Sequence, residues 1–123
     1  MDLETAIKGV LDAESKLRSP QGVNSPTFMS QQMMRLSQFT GAAEEHLAKY
    51  EQDFELDSAK ALKFYMIDQK MAVTAAEKRA KIETADLKAQ IKYLERIIQS
   101  AWRQVGVIQS RINHLAREAS TNI

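Results

Sequence analysis

Residues 87–119 read LKAQIKYLERIIQSAWRQVGVIQSRINHLAREA, and this stretch decides the fold. Leu87, Ile91, Leu94, Ile98, Ala101, Val105, Ile108, Ile112, Leu115 and Ala119 recur in alternating steps of four and three residues. Such steps keep every apolar side chain on one stripe of an α-helix, and a seven-residue period held this long is the signature of a coiled coil. Ile97, Trp102 and Val107 lie beside the seam and widen it beyond what a simple two-stranded pair covers. The spacing predicts one helix from residue 75 to about 119. Its start is marked by Thr74-Ala75-Ala76-Glu77, the threonine and glutamate spacing of a capping box.

Working back from this helix, nothing but Gly41 interrupts residues 28 to 70, and one interior glycine costs only about 1 kcal/mol. Met33, Leu36, Phe39, Ala43, Leu47, Tyr50, Phe54, Ala61, Phe64 and Tyr65 form a drifting apolar stripe along it. A tight bend is expected near residues 71–74. Further back, Leu3, Ile7, Val10, Leu11 and Leu17 predict a short amphipathic helix over 3–18, with Asp2 and Glu4 early and Lys16 and Arg18 late, as the helix dipole favours. Residues 19–26, which hold Pro20, Gly22 and Pro26, read as a loop. The chain thus divides into an N-terminal helix with its loop (1–27), a long helical hairpin (28–119) and a tail (120–123).

Composition agrees with this reading and removes several function classes. The 123 residues include no cysteine, four glycines and two prolines. There is therefore no disulfide, thiol nucleophile or thiolate metal site. A polar chain so poor in glycine and proline is a helix former, neither disordered nor a β-sandwich. No stretch has the 18 or more apolar residues of a membrane span, and acids at positions 2 and 4 argue against a secretion signal. The expected location is the cytoplasm, without membrane association.

Two helices of more than 40 residues do not make a compact monomer. Folded back on each other they bury one strip each, while Leu62, Phe64, Tyr65, Met66 and Ile67 form a cluster that is apolar nearly all round. Apolar area left in that way marks an interface. The expected fold class is all-α: a short N-terminal helix, then a long antiparallel hairpin of coiled-coil character, assembled as a homo-oligomer, most economically a ring or bundle of hairpins. Phe64, Ile67, Leu94, Ile98, Trp102, Val105 and Ile108 are the candidate oligomer interface. The alternative topology is an interlocked dimer of long helices.

The formal net charge of +1 conceals a division. Residues 1–57 hold five basic and ten acidic side chains, a net of −5, and residues 58–123 hold twelve and six, a net of +6. Lys60, Lys63, Lys70, Lys78, Arg79 and Lys81 face only Asp68, Glu77 and Glu83 over the same stretch, and a bend at 71–74 gathers them at one end. Lysines neutralise phosphates, and an aromatic such as Tyr65 or Phe64 stacks on bases without reading them. The candidate nucleic-acid-binding residues are Lys60, Lys63, Tyr65, Lys70, Lys78, Arg79 and Lys81. Phe64 and Tyr65 are equally readable as core residues. Binding at such a site is salt-dependent and indifferent to sequence.

No enzyme is expected. A helical hairpin offers no deep pocket, and no His/Asp/Ser or paired-carboxylate constellation is present to fill one. His46 and His114 read as surface residues, Trp102 as an interface anchor, and Met29, Met33 and Met34 as fillers of irregular packing. No cofactor or metal is implied.

Two stretches resemble a known family. Ser58-Ala59-Lys60-Ala61-Leu62-Lys63-Phe64-Tyr65 is similar to the DNA-contacting segment of phage recombination mediators of the UvsY type. Tyr93 to Arg111, with Ser100-Ala101-Trp102-Arg103 and Ser110-Arg111 inside it, is similar to the C-terminal helix through which that family assembles into a ring. The likeness spans residues 45–117, and the helix and loop before it have no counterpart. The resemblance implies phosphate-contacting roles for Lys60 and Lys63 with Tyr65 nearby. It also implies a mediator that binds single-stranded DNA, a recombinase and a single-strand-binding protein, and helps load the recombinase in exchange for the latter, in the host-cell cytoplasm. Two further readings of the residues remain open: an oligomeric helical protein-binding assembly factor or chaperone without nucleic-acid binding, and a membrane-surface or structural coiled coil.

Overall fold

The computed structural model describes residues 1–121. Among the described residues the chain is all-α, without a strand: α1 (Leu3–Arg18), α2 (Pro20–Asn24), α3 (Pro26–Lys63), α4 (Val73–Glu83) and α5 (Ala85–Thr121). A turn of π-helix, Phe64–Asp68, follows α3. Of the expected tail, residues 120 and 121 continue α5, and 122–123 lie outside the described residues.

Local chemistry explains the helix boundaries. Asp2 caps α1, its carboxylate accepting the Thr5 N–H at 2.7 Å. The loop expected at 19–26 is instead the short helix α2. Pro20 stands at its first position, where a missing N–H breaks no helical bond. The Ser19 hydroxyl accepts the Gly22 N–H at 3.2 Å, and Ser25 repeats the device for Phe28 at 3.3 Å, opening α3. Two serine caps therefore turn a proline-bearing stretch into consecutive helix starts.

The end of α3 differs from the expected bend. The π-turn closes with the Gln69 N–H on the Phe64 carbonyl at 3.1 Å and the Met71 N–H on that of Tyr65 at 2.9 Å. Lys70 takes the left-handed conformation at φ 51°. The expected capping box does not form, because Ala72 is the N-cap of α4 and Thr74 already lies within the helix. Nor does one helix run from 75 to 119. Thr84 is buried and its hydroxyl donates to the Ala80 carbonyl at 2.9 Å, a back-bond that bends helices, and here it separates α4 from α5.

The chain divides into two compact bodies, Met1–Glu45 with the chain from Arg96 onward, and His46–Glu95. In the first, α1 packs on the N-terminal part of α3 and the C-terminal part of α5 around Val10, Leu17, Met29, Leu36, Ala101 and Ile108. Met29, Leu36 and Val10 are fully buried, each worth about 1.5–3 kcal/mol of hydrophobic stabilisation. Its charges are largely paired: Asp12 sits 3.2 Å from Lys16 and 3.1 Å from Arg35. Hydrogen bonds first from Lys16 and then from Arg35 hold the Asp12 carboxyl below its ordinary value.

In the second body the C-terminal part of α3 lies antiparallel to α4 and the start of α5. Phe54 meets Lys88, while Leu62 faces Ala80 across a groove. Its buried apolar residues are Ala61, Ala76, Ala80, Ile91 and Leu94, three of them alanines. Small side chains bring helices close but remove little surface from water. The same body exposes Leu56, Phe64, Ile67, Val73, Ile82 and Tyr93.

Candidate nucleic-acid interface

All the cationic candidates lie in the second body, around the π-turn. Lys60 and Lys63 occupy the last turn of α3, Lys70 the connection, and Lys78, Arg79 and Lys81 lie on α4; all six are exposed. Among the described residues none of the five lysines has an ion-pair partner. The nearby carboxylates Asp57 and Glu83 line a second hollow with Lys60 and Phe64 without pairing with that lysine. Five unneutralised ammonium groups within one short turn-and-helix segment make a local positive field that attracts a polyanion.

Tyr65 and Arg79 are engaged with one another. The guanidinium carbon of Arg79 lies 5.8 Å from the Tyr65 ring centroid, and the Tyr65 hydroxyl donates to the Glu83 carboxylate. That hydrogen bond is the first cause holding the Tyr65 phenol above its ordinary value of 10.0, followed by desolvation and the Glu83 charge, with Arg79 opposing. Phe64 meets the Tyr65 ring edge-on at 5.2 Å between centroids and 71° between planes. Phe64 is 44% exposed and Tyr65 half-buried, so Phe64 is the freer stacking surface of the two. The arrangement ties the π-turn to α4 through a side-chain network.

The expected oligomer interface separates into two groups. Leu94, Ile98 and Ile108 are at most 7% exposed, and Val105 packs against the core of the first body. These four are covered by the chain's own fold, as the inward stripe of α5. Phe64, Ile67 and Trp102 face outward, the last 40% exposed with its indole N–H donating to the Glu44 carboxylate.

A groove of about 680 Å³ runs between α3 and α4–α5. Phe54, Leu62, Ala80, Ala85 and Ala89 give it an apolar lining, Lys81, Lys88 and Lys92 a basic rim, and Glu77 its one carboxylate. The Lys88 ammonium lies 5.8 Å from the Phe54 ring centroid. Sequence reasoning singled out Lys81 alone among the rim residues. Phe54 and Lys88 are mirror positions about residue 71, so the antiparallel register was the signal that joins them. Among the described residues no cluster of three or more His, Asp or Glu groups is placed to hold a metal ion, and no helix is long and apolar enough to cross a membrane. Comparison with family models, curated proteins and solved structures found no match to this chain.

Proposed function

We propose that this protein is an oligomeric single-stranded DNA-binding recombination mediator, which loads a recombinase onto DNA in exchange for single-strand-binding protein. The observation that carries the reading is the set of exposed, unpaired lysines, Lys60, Lys63, Lys70, Lys78 and Lys81, gathered around a turn that also exposes Phe64. Lysines track a phosphate backbone and an exposed ring takes a base, which together suit unstructured DNA without sequence preference. The likeness of residues 58–65 and 93–111 to mediators of the UvsY type supplies the recombinase and the single-strand-binding protein as partners. Antiparallel helices of coiled-coil character, ring-like self-association and residence in the cytoplasm of a phage-infected cell complete the reading. The thin, alanine-rich core of residues 46–95 beside its exposed apolar side chains supports the self-association.

The test is fluorescence anisotropy of an unstructured labelled oligonucleotide at low and physiological salt, using the parent and Lys60→Ala/Lys63→Ala. Sedimentation of both proteins runs in parallel. The reading expects the parent to bind and the variant to bind several-fold more weakly with its oligomer intact. Equal binding by both overturns the assigned site. One observation favours a protein-binding assembly factor instead, the apolar lining of the α3/α4–α5 groove; that reading expects no DNA retention at physiological salt.

A further inference from the structure

The charges of residues 46–95 are unusual in what they do not do. This body carries nine basic side chains and nine carboxylates. Among the described residues, none of these nine Lys and Arg side chains forms an ion pair with a carboxylate of this body. Its acids are concentrated on α3, where Glu51, Asp53, Glu55 and Asp57 follow one another with no base between them. Ala48, Glu51, Gln52, Glu55, Leu56 and Ala59 share one face of that helix. All six are exposed, and Leu56 retains 51% of its surface. A leucine between alanines, bordered on one side by two glutamates one turn apart, has the form of a knob with an acidic edge.

The groove is the complement of that face. Its lining is apolar, and Lys88 and Lys92 on its rim are likewise one turn apart, about 6 Å along the helix axis, the same step as Glu51 to Glu55. We propose that the groove receives the 48–59 face of a second copy of this chain, with the incoming α3 antiparallel to α5. Leu56 then lies on the apolar lining beside Ala85 and Ala89, Glu55 meets Lys88, and Glu51 meets Lys92. Glu77, the carboxylate at the far end, lies where the incoming helix turns basic at Lys60 and Lys63. Knob and groove use different residues, so each copy carries one of each. The contact is heterologous, and repeating it gives a closed ring or an open filament. The inference rests on the self-association in the function proposed above and names the surface that performs it.

The experiment is a charge exchange followed by sedimentation velocity over a concentration series at low salt. Glu51→Lys/Glu55→Lys and Lys88→Glu/Lys92→Glu each replace two attractions by two repulsions, so each weakens association at least about tenfold. The quadruple variant and a mixture of the two double variants both restore opposite signs at every contact, and association returns to within about threefold of the parent. Circular dichroism confirms that each variant remains helical; should the quadruple variant lose helix, the mixture decides. A parent that stays monomeric, a double variant that associates like the parent, or helical proteins that are not rescued by exchange overturn the proposal. Binding of a labelled oligonucleotide by the parent is read in the same series. Its absence removes the mediator function and leaves the interface standing, whereas failed rescue with DNA binding intact does the reverse.

Discussion

Replacing glycine by alanine within a helix ordinarily stabilises a protein by about 0.5–1 kcal/mol, since the unfolded chain loses freedom and the helix loses nothing. All four glycines of this chain lie inside helices, and the structure assigns Gly9 a response opposite to that of Gly41 and Gly106. None has a positive φ, so packing alone decides. A methyl group at Gly41 or Gly106 meets nothing within 4 Å. At Gly9, which is buried in α1, the methyl falls onto the Phe39 ring, whose own position is held by the core of the first body. Overpacking of that kind costs about 1–3 kcal/mol, and subtracting the propensity gain leaves Gly9→Ala destabilised by about 0.5–2 kcal/mol. With a urea dependence near 1.5 kcal/mol per molar, the midpoint falls by roughly 0.3–1.3 M. Gly41→Ala and Gly106→Ala each raise it by about 0.3–0.7 M on the same scale. The assay is urea unfolding followed by far-ultraviolet circular dichroism, with Gly9→Ala/Phe39→Leu as the double variant that makes room and recovers part of the loss. Gly9→Ala as stable as the parent would refute the packing of α1 on α3. A loss at Gly41 or Gly106 equal to that at Gly9 would show that helix position, not contact, sets the response.

Two further outcomes concern the turn. The raised Tyr65 pKa means that its hydrogen bond to Glu83 contributes fully below pH 10.0 and is lost as pH rises through the higher folded value. Spectrophotometric titration of the folded protein should therefore show a late-ionising phenol that disappears in Tyr65→Phe and moves earlier in Glu83→Gln. Lys70 holds φ 51°, a conformation that costs a residue with a Cβ about 1 kcal/mol and glycine almost nothing. Lys70→Gly accordingly raises stability by up to about 1 kcal/mol in urea unfolding while weakening oligonucleotide binding in anisotropy, an opposition that a purely structural role for Lys70 does not produce.

The helices were legible wherever a single period runs for several turns. The α5 seam is the plainest case, because its four-and-three steps are the stripe that Leu94, Ile98, Ala101 and Ile108 bury. What escaped were decisions made by one or two hydrogen bonds. Ser19 and Ser25 turn a Pro/Gly stretch into α2 and the start of α3, and a loop with the same composition is equally good sequence grammar. Thr74 and Glu77 have capping spacing but stand two residues too late, since the π-turn and Lys70 consume the residues before Ala72. At the site, the lysines were readable from composition alone. The mutual engagement of Tyr65, Arg79 and Glu83, and the groove that sets Phe54 against Lys88, were not, because they depend on the register of two helices joined by the turn.

The proposed contact between the lysines around the π-turn and the phosphates of single-stranded DNA has a salt signature. It is tested most directly by the slope of log binding constant against log salt concentration, compared between the parent and Lys60→Ala/Lys63→Ala. Each phosphate contact on a single strand contributes about 0.7 to the slope, so removing two lysines lowers its magnitude by about 1.4 per engaged copy. A parent that binds with that steep dependence and a variant shallower by this amount agree with the account. A parent that binds without salt dependence, or a variant with an unchanged slope, contradicts it.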